Sequence, residues 1–247
     1  MRPKQPLNFR CARLELLAGL CLFAACLPVL AAPVGEVTHL TGTLSSKQRN
    51  GSVKLLSLKS QIEEGDELST QDGTYARIKF NDGAELVLRP NTQLKVDAYS
   101  DAQQNKGSDN IVLSLLRGGL RAVTGLVAKR NRDSFQLKTP AATIGIRGTH
   151  FGVLVCNGDC QNVPTINNLP PNDGTHVDVA SGSIIIRNAG GTQVITPGQF
   201  GFVANLQTPP IIMPPGQGAP VTMPSSISQN NSNGIGIGQA RDAECAM

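Results

Sequence analysis

The residues with the clearest chemical potential are two cysteines at close spacing, in the run Cys156-Asn157-Gly158-Asp159-Cys160. Such spacing occurs in metal knuckles, but a structural zinc site needs about four ligands and no further pair lies nearby in sequence. A local disulfide is favoured over a metal: Gly158 supplies the tight turn, and a bridge would constrain the long loop from Asn157 to Thr175 near its base. Cys245 then stands alone near the carboxyl end. The histidines His39, His150 and His176 are scattered and form no HExxH arrangement. His150 is expected as a surface or half-buried side chain. Asp72 and Asp82 each precede a glycine, and Asp82-Gly83 reads as a hairpin turn instead of part of an acid/base pair. No glycine-rich phosphate cradle follows a strand and opens a helix. The chain is expected to be non-enzymatic, with no metal and no cofactor.

Arg117, Arg121, Lys129, Arg130 and Arg132 make the densest basic stretch. Such a stretch can meet the phosphates of lipopolysaccharide, the carboxylates of peptidoglycan or an acidic protein face. The plainer reading, and the favoured one, is a solvated strand edge whose charges discourage aberrant strand pairing.

The amino terminus has its own logic. Arg2, Lys4, Arg10 and Arg13 precede an apolar run from Leu14 to Leu30, followed by Ala31, Ala32 and Pro33, the pattern of a secretory signal peptide over residues 1–31. Cleavage is expected between Ala31 and Ala32, and the product would be periplasmic or secreted; lipid anchoring at Cys26 is the alternative. The segment carries four of the 22 Lys plus Arg and one of the 18 Asp plus Glu, leaving 18 basic against 17 acidic residues. A nearly neutral remainder gives no argument for nucleic acid, which calls for a concentrated basic face.

The elements that must position these residues read as β-strands. There is no Trp, with only 7 Phe and 2 Tyr, so the core must rely on Val, Ile and Leu, and the branched members favour pleated chains. Ala76, Ile78 and Phe80 share one face of a strand, and Leu86 and Leu88 continue it after Asp82-Gly83, which predicts a hairpin. Ile111–Leu116 and Leu120–Val127 read as two strands around Gly118-Gly119. In Thr143–His150, Ile144 and Ile146 point inward, Gly145 and Gly148 permit a bulge or close backbone approach, and Gly148 could turn the chain sharply before Phe151 returns to the core. Arg147 could bind carbonyls and carboxylates of its own fold, the favoured reading, or an anionic partner. The prediction is one all-β domain over residues 35–204, with short strands in solenoid-like or sandwich-like layers. Residues 205–247, rich in Pro, Gly, Asn and Ser, are expected as a flexible, disordered tail.

The residues Thr139, Pro140, Thr143, Gly145, Arg147, Gly148, Thr149 and Phe151 lie in the run TPAATIGIRGTHF. With Gly73–Leu88 and Leu113–Leu120 before it and Val177–Ile186 after it, the chain resembles the FecR domain from about Gly35 to Phe202. The resemblance implies an all-β fold and a protein-contact function. In the founding regulators a cytoplasmic helical segment and a membrane span precede this periplasmic domain, which couples an outer-membrane receptor to an extracytoplasmic-function sigma factor. This chain is expected to be a stand-alone exported version without the cytoplasmic anti-sigma segment. The leading expectation is a binding or scaffold module of the cell envelope that contacts an envelope protein or glycan. The alternative is the periplasmic component of FecR-type signal transduction, acting through a separate membrane regulator or an outer-membrane receptor.

Overall fold

A computed structural model describes residues 32–102, 109–131, 133–163, 165–214, 216–224 and 227. The expected signal segment through Ala31, Cys26, Arg132 and Cys245 lie outside the described residues, as does the side chain of Arg147.

In chain order the strands are β1 (Pro33–Thr41), β2 (Leu44–Lys47), β3 (Val53–Leu56), β4 (Gln61–Glu63), β5 (Glu67–Thr70), β6 (Tyr75–Phe80), β7 (Glu85–Leu88), β8 (Gln93–Ser100) and β9 (Asn110–Val123). The helix α1 (Leu126–Arg130) follows, then β10 (Phe135–Lys138), β11 (Thr143–Cys156), β12 (Gly174–Asn188), β13 (Gly191–Ile195), β14 (Phe200–Val203) and β15 (Ile211–Ile212). Branched aliphatics dominate the buried faces, and Leu44, Ile78, Leu113, Ile144, Phe151 and Ile184 belong to one continuous core. Fully burying each such side chain is worth about 1.5–3 kcal/mol. Among the described residues, no helix is long and apolar enough to cross a membrane.

Three long strands organise everything else. The first half of β9 pairs with β8 and β10, and its second half with β7 and β11. Correspondingly, β12 pairs with β14 near its start, with β13 near its end, and with β11 throughout. β9 therefore joins two neighbourhoods, β3-β2-β5-β8 on one side and β4-β1-β6-β7 on the other, while β11 and β12 change partners along their length. Both neighbourhoods contribute to the same core, giving a sandwich-like all-β architecture.

A glycine in the middle of each long strand makes the change of neighbourhood possible. Gly118, Gly148 and Gly182 all have positive φ, at 74°, 60° and 76°. At each one the inward-facing set shifts by one residue, from Leu113 and Leu115 to Leu120 and Ala122 in β9. In β11 it moves from Ile144 and Ile146 to Phe151 and Val153, and in β12 from Val177 and Val179 to Ile184 and Ile186. A bulge residue in the left-handed region produces this shift, and glycine adopts that conformation without a Cβ penalty. The sharp turn expected at Gly148 is thus a bulge inside a continuous strand, and the two strands expected around Gly118-Gly119 are one. Leu126 and Val127, expected at the end of a strand, instead open α1, because the chain turns at Gly125 against the Asp82 loop.

The segment after Ala204 also departs from expectation. Residues 211–212 pair with β14, and Val221, Met223 and Ile227 are buried. Proline keeps regular structure in this stretch short but does not prevent its few apolar side chains from docking. From residue 228 onward the expected tail lies outside the described residues.

Candidate functional site

Two places on the domain gather side chains with functional potential. The first is the outward face of β9, β11 and β12, opposite the main core. Register sets Arg121, Gly152 and Asp178 side by side across the three strands. With no side chain on the central residue, the arginine and the aspartate reach each other: Arg121 Nη1 donates to Asp178 Oδ2 at 2.6 Å. Arg121 Nε also donates to His150 Nε2 at 2.9 Å. The pair is buried, with side-chain exposures of 6% and 11%, so removing one member would strand a charge away from water.

The docked C-terminal segment closes over this pair. Arg121 Nη1 donates to the Val221 carbonyl at 3.0 Å, and the Val221 N–H donates to Asp178 Oδ1 at 3.1 Å. A Cβ placed on Gly152 would lie 2.5 Å from the Val221 Cβ, so the valine fills the hollow that glycine leaves. Val221, Met223 and Ile227 join Val87, Leu154, Cys156 and Cys160 in a second, smaller apolar cluster. Burial, and secondarily the Arg121 charge, holds the His150 imidazole down to about 4. The ring is then neutral at physiological pH, with its lone pair free to accept from the guanidinium. His150 is consequently more deeply enclosed than expected, at 8% exposure. His176 is buried too, its ring 4.7 Å from that of Phe202 and its Nε2 2.8 Å from the Asn172 carbonyl oxygen, with its pKa lowered by burial.

The second place is an open groove of about 540 Å³ lined by Asp133, Phe135, Gln136, Thr143, Gly145, Ile146, Ile185 and Arg187. Across the strands Gln136, Gly145, Ile185 and Val194 form one row, with Gly145 as the floor. Val194 is 42% exposed and gives the row an apolar end, and the charged Asp133 and Arg187 line the groove.

A family model described as FecR protein matches residues 66–184, which includes Gly145 and the Arg121, Gly152 and Asp178 row but not Ile185, Arg187 or Val194. Residues 66–184 are a FecR domain. No curated protein matches the chain. Two crystal structures of a proposed anti-sigma factor from Parabacteroides distasonis align at 16% and 17% identity, each with a TM-score of 0.44 over 62% of this chain and 60% of that one. The chain thus spans about three fifths of the length of those structures. A cell surface anchoring domain aligns at 26% identity with a TM-score of 0.25, covering 25% of this chain and 82% of that one.

The signature residues of the FecR domain divide between support and surface. Thr139 Oγ1 and the Ala142 backbone bond each other in both directions, at 3.0 and 3.1 Å, and close the turn that launches β11. Pro140 is exposed on that turn, while Phe151 is fully enclosed in the core. Thr149 ties the bulges together: its N–H donates to Thr124 Oγ1 at 2.9 Å and its Oγ1 to the Ser183 carbonyl at 2.8 Å. Thr143 and Gly145 line the groove, and the Arg147 backbone pairs with Ser183. Gly83 takes the positive φ of the β6–β7 turn, at 82°. Asp82 does more than turn the chain. It is buried, its carbonyl accepts from Leu126 N–H at 2.9 Å, and its Oδ2 accepts from Val127 N–H at 3.4 Å, anchoring the first turn of α1. Burial raises its pKa.

The basic stretch does not form one face. Arg121 is internal, Arg117 pairs with Asp159 at 3.0 Å, and Arg130 is committed to Asp101 and Asp109. Lys129 is exposed. Alternation along β9 and the helical turn of α1 send these cations in different directions, so proximity in sequence does not make a patch. Cys156 and Cys160 stand at disulfide distance, with Cα atoms 5.4 Å apart, and both residues lie in the smaller apolar cluster. Among the described residues no group of three or more His, Cys, Asp or Glu side chains is placed to hold a metal ion. Sequence reasoning missed Asp178, Gly152 and Val221. The available signal was a carboxylate between two inward valines in Val177-Asp178-Val179, which marks a charge on the opposite face that needs a cationic partner.

Proposed function

We propose that this chain is an exported FecR-domain protein of the bacterial envelope that works by protein contact within FecR-type signalling. The observation that carries the reading is the placement of Gly145, a residue of the domain's signature strand, at the floor of an open groove instead of in the core. A glycine floor bounded by Gln136 and Ile185, with Asp133 and Arg187 lining the same groove, suits a partner side chain or strand that needs apolar contact and charged orientation. Export is supported by the basic and apolar pattern of residues 1–31. The partner in this reading is a membrane regulator or an outer-membrane receptor, and the periplasm is where they meet.

Photocrosslinking in cells from probes at Gln136 and Val194, with fractionation and mass spectrometry of the adducts, tests it. A saturable adduct with a membrane regulator or receptor is expected. Adducts confined to glycan or structural envelope proteins would replace signalling with a scaffold role, and recovery of the protein from the cytoplasm would overturn export.

A further inference from the structure

The hollow above Gly152 has the construction of a peptide site. Two side chains read both polar groups of one residue's backbone: Arg121 donates to the Val221 carbonyl and Asp178 accepts from the Val221 N–H. Backbone reading of this kind is indifferent to sequence, while the absent side chain of Gly152 leaves room for the side chain of the residue being read. Next to it, Val87, Leu154, Cys156 and Cys160 offer an apolar surface, against which Met223 and Ile227 pack. Main-chain hydrogen bonds supply affinity and side-chain pockets supply selectivity, the division of labour found in recognition of extended peptides.

The occupant is attached in a way that permits exchange. Between β15 and Val221 the chain runs through Pro214, Pro215 and Pro220, and a backbone bond from Ile166 N–H to the Gly218 carbonyl at 3.1 Å ties it to the loop after the disulfide. Apart from Arg121 and Asp178, the described contact rests on Gly218 packed against Phe200 and on a few buried apolar side chains, Ala219, Val221, Met223 and Ile227. A short tether gives an effective concentration in the millimolar range, enough to keep a modest contact closed without making it permanent. Small contacts of this kind open below the free energy of global unfolding.

We propose that Arg121, Gly152 and Asp178 form a binding cleft for an extended partner peptide with a valine-sized residue flanked by proline, and that residues 220–224 occupy it as a built-in competitor. In the closed form the chain's own segment excludes the partner, and a partner peptide of the same chemistry gains the cleft by displacing it. This site shares no residue with the lining of the Gly145 groove and does not depend on the signalling reading.

The test uses the full chain and a fluorescent peptide with the sequence of residues 219–227, followed by anisotropy. Val221→Asp places a carboxylate against Asp178 and expels the segment. The peptide is expected to bind the Val221→Asp chain at least ten-fold more tightly than the wild type, and adding Gly152→Val to that variant is expected to abolish binding. Absence of saturable binding to a Val221→Asp chain that keeps its native β-sheet spectrum would overturn the proposal, as would unchanged binding after Gly152→Val. A concentration-dependent dimer of the wild type would also overturn it, because the segment would then belong to a neighbouring copy. Should Val221→Asp fail to fold, hydrogen exchange on the wild type decides: the Val221 amide is expected to exchange faster than those of Phe151 and Val153, and equal protection would show that the segment does not open separately.

Discussion

The bulge glycines make a sharp prediction because two of them share a backbone conformation and differ in their surroundings. Gly148 and Gly182 have φ of 60° and 76° on adjacent strands. A Cβ on Gly148 meets nothing within 4 Å, whereas one on Gly182 would lie 2.4 Å from the Gly148 carbonyl oxygen and 2.9 Å from the Thr149 Cα. In Gly148→Ala the only penalty is the left-handed conformation, about 1–2 kcal/mol, partly offset by about 0.4–1 kcal/mol from a less flexible unfolded chain. The net loss is about 1 kcal/mol. Gly182→Ala carries the same conformational penalty plus a backbone collision that no rotamer relieves, and forced overpacking adds about 1–3 kcal/mol. With the same offset its loss is about 2–4 kcal/mol, equivalent to a melting point lower by roughly 5–15 °C for a domain of this size. Urea unfolding of the two variants and the wild type, with linear extrapolation and comparison of m-values, measures the difference. Equal losses, or a loss under about 1 kcal/mol for Gly182→Ala, would refute the assignment of these glycines as paired bulges that carry the long strands from one neighbourhood to the other.

Other expectations follow from the polar contacts. Because the folded pKa of His150 is depressed to about 4 from 6.5, its contribution to stability is complete above pH 6.5 and is lost as pH falls towards 4. His176 acts in the same direction and buried Asp82 in the opposite one, so the difference between wild type and His150→Gln across that window isolates His150, and parallel pH profiles would refute its buried neutral state. Arg130→Ala removes the cation shared by Asp101 and Asp109, and the amides of Ala102 and Ile111 are expected to exchange faster with the sheet otherwise unchanged. Cys160→Ser opens the five-residue ring that begins at Cys156. The chain-entropy relation puts its loss at roughly 2 kcal/mol, measured by denaturation of oxidised protein, with a wild-type mass about two daltons below the fully reduced value confirming the bridge.

What the sequence determined by itself is the local part of the fold. Alternation of Ala76, Ile78 and Phe80 with polar residues, and the Asp82-Gly83 turn, specify the β6–β7 hairpin because side-chain direction in a strand has a period of two and only a few residues suit a tight turn with positive φ. The same alternation, interrupted at glycine, was visible around Gly118 and Gly148, and the signature run was sufficient to mark the FecR domain. Contacts between residues far apart along the chain depend on how the strands pair. Arg121 meets Asp178 at a separation of 57 residues and the Val221 carbonyl at 100. Nothing local distinguishes Arg121 from Arg117, yet strand register buries the first against a carboxylate and leaves the second at the surface. The C-terminal segment shows the same limit: its prolines keep regular structure short, but whether Val221 is solvated or docked depends on a hollow supplied by Gly152, 69 positions earlier. Local sequence sets which way each side chain faces, and pairing across the sheet sets what it meets.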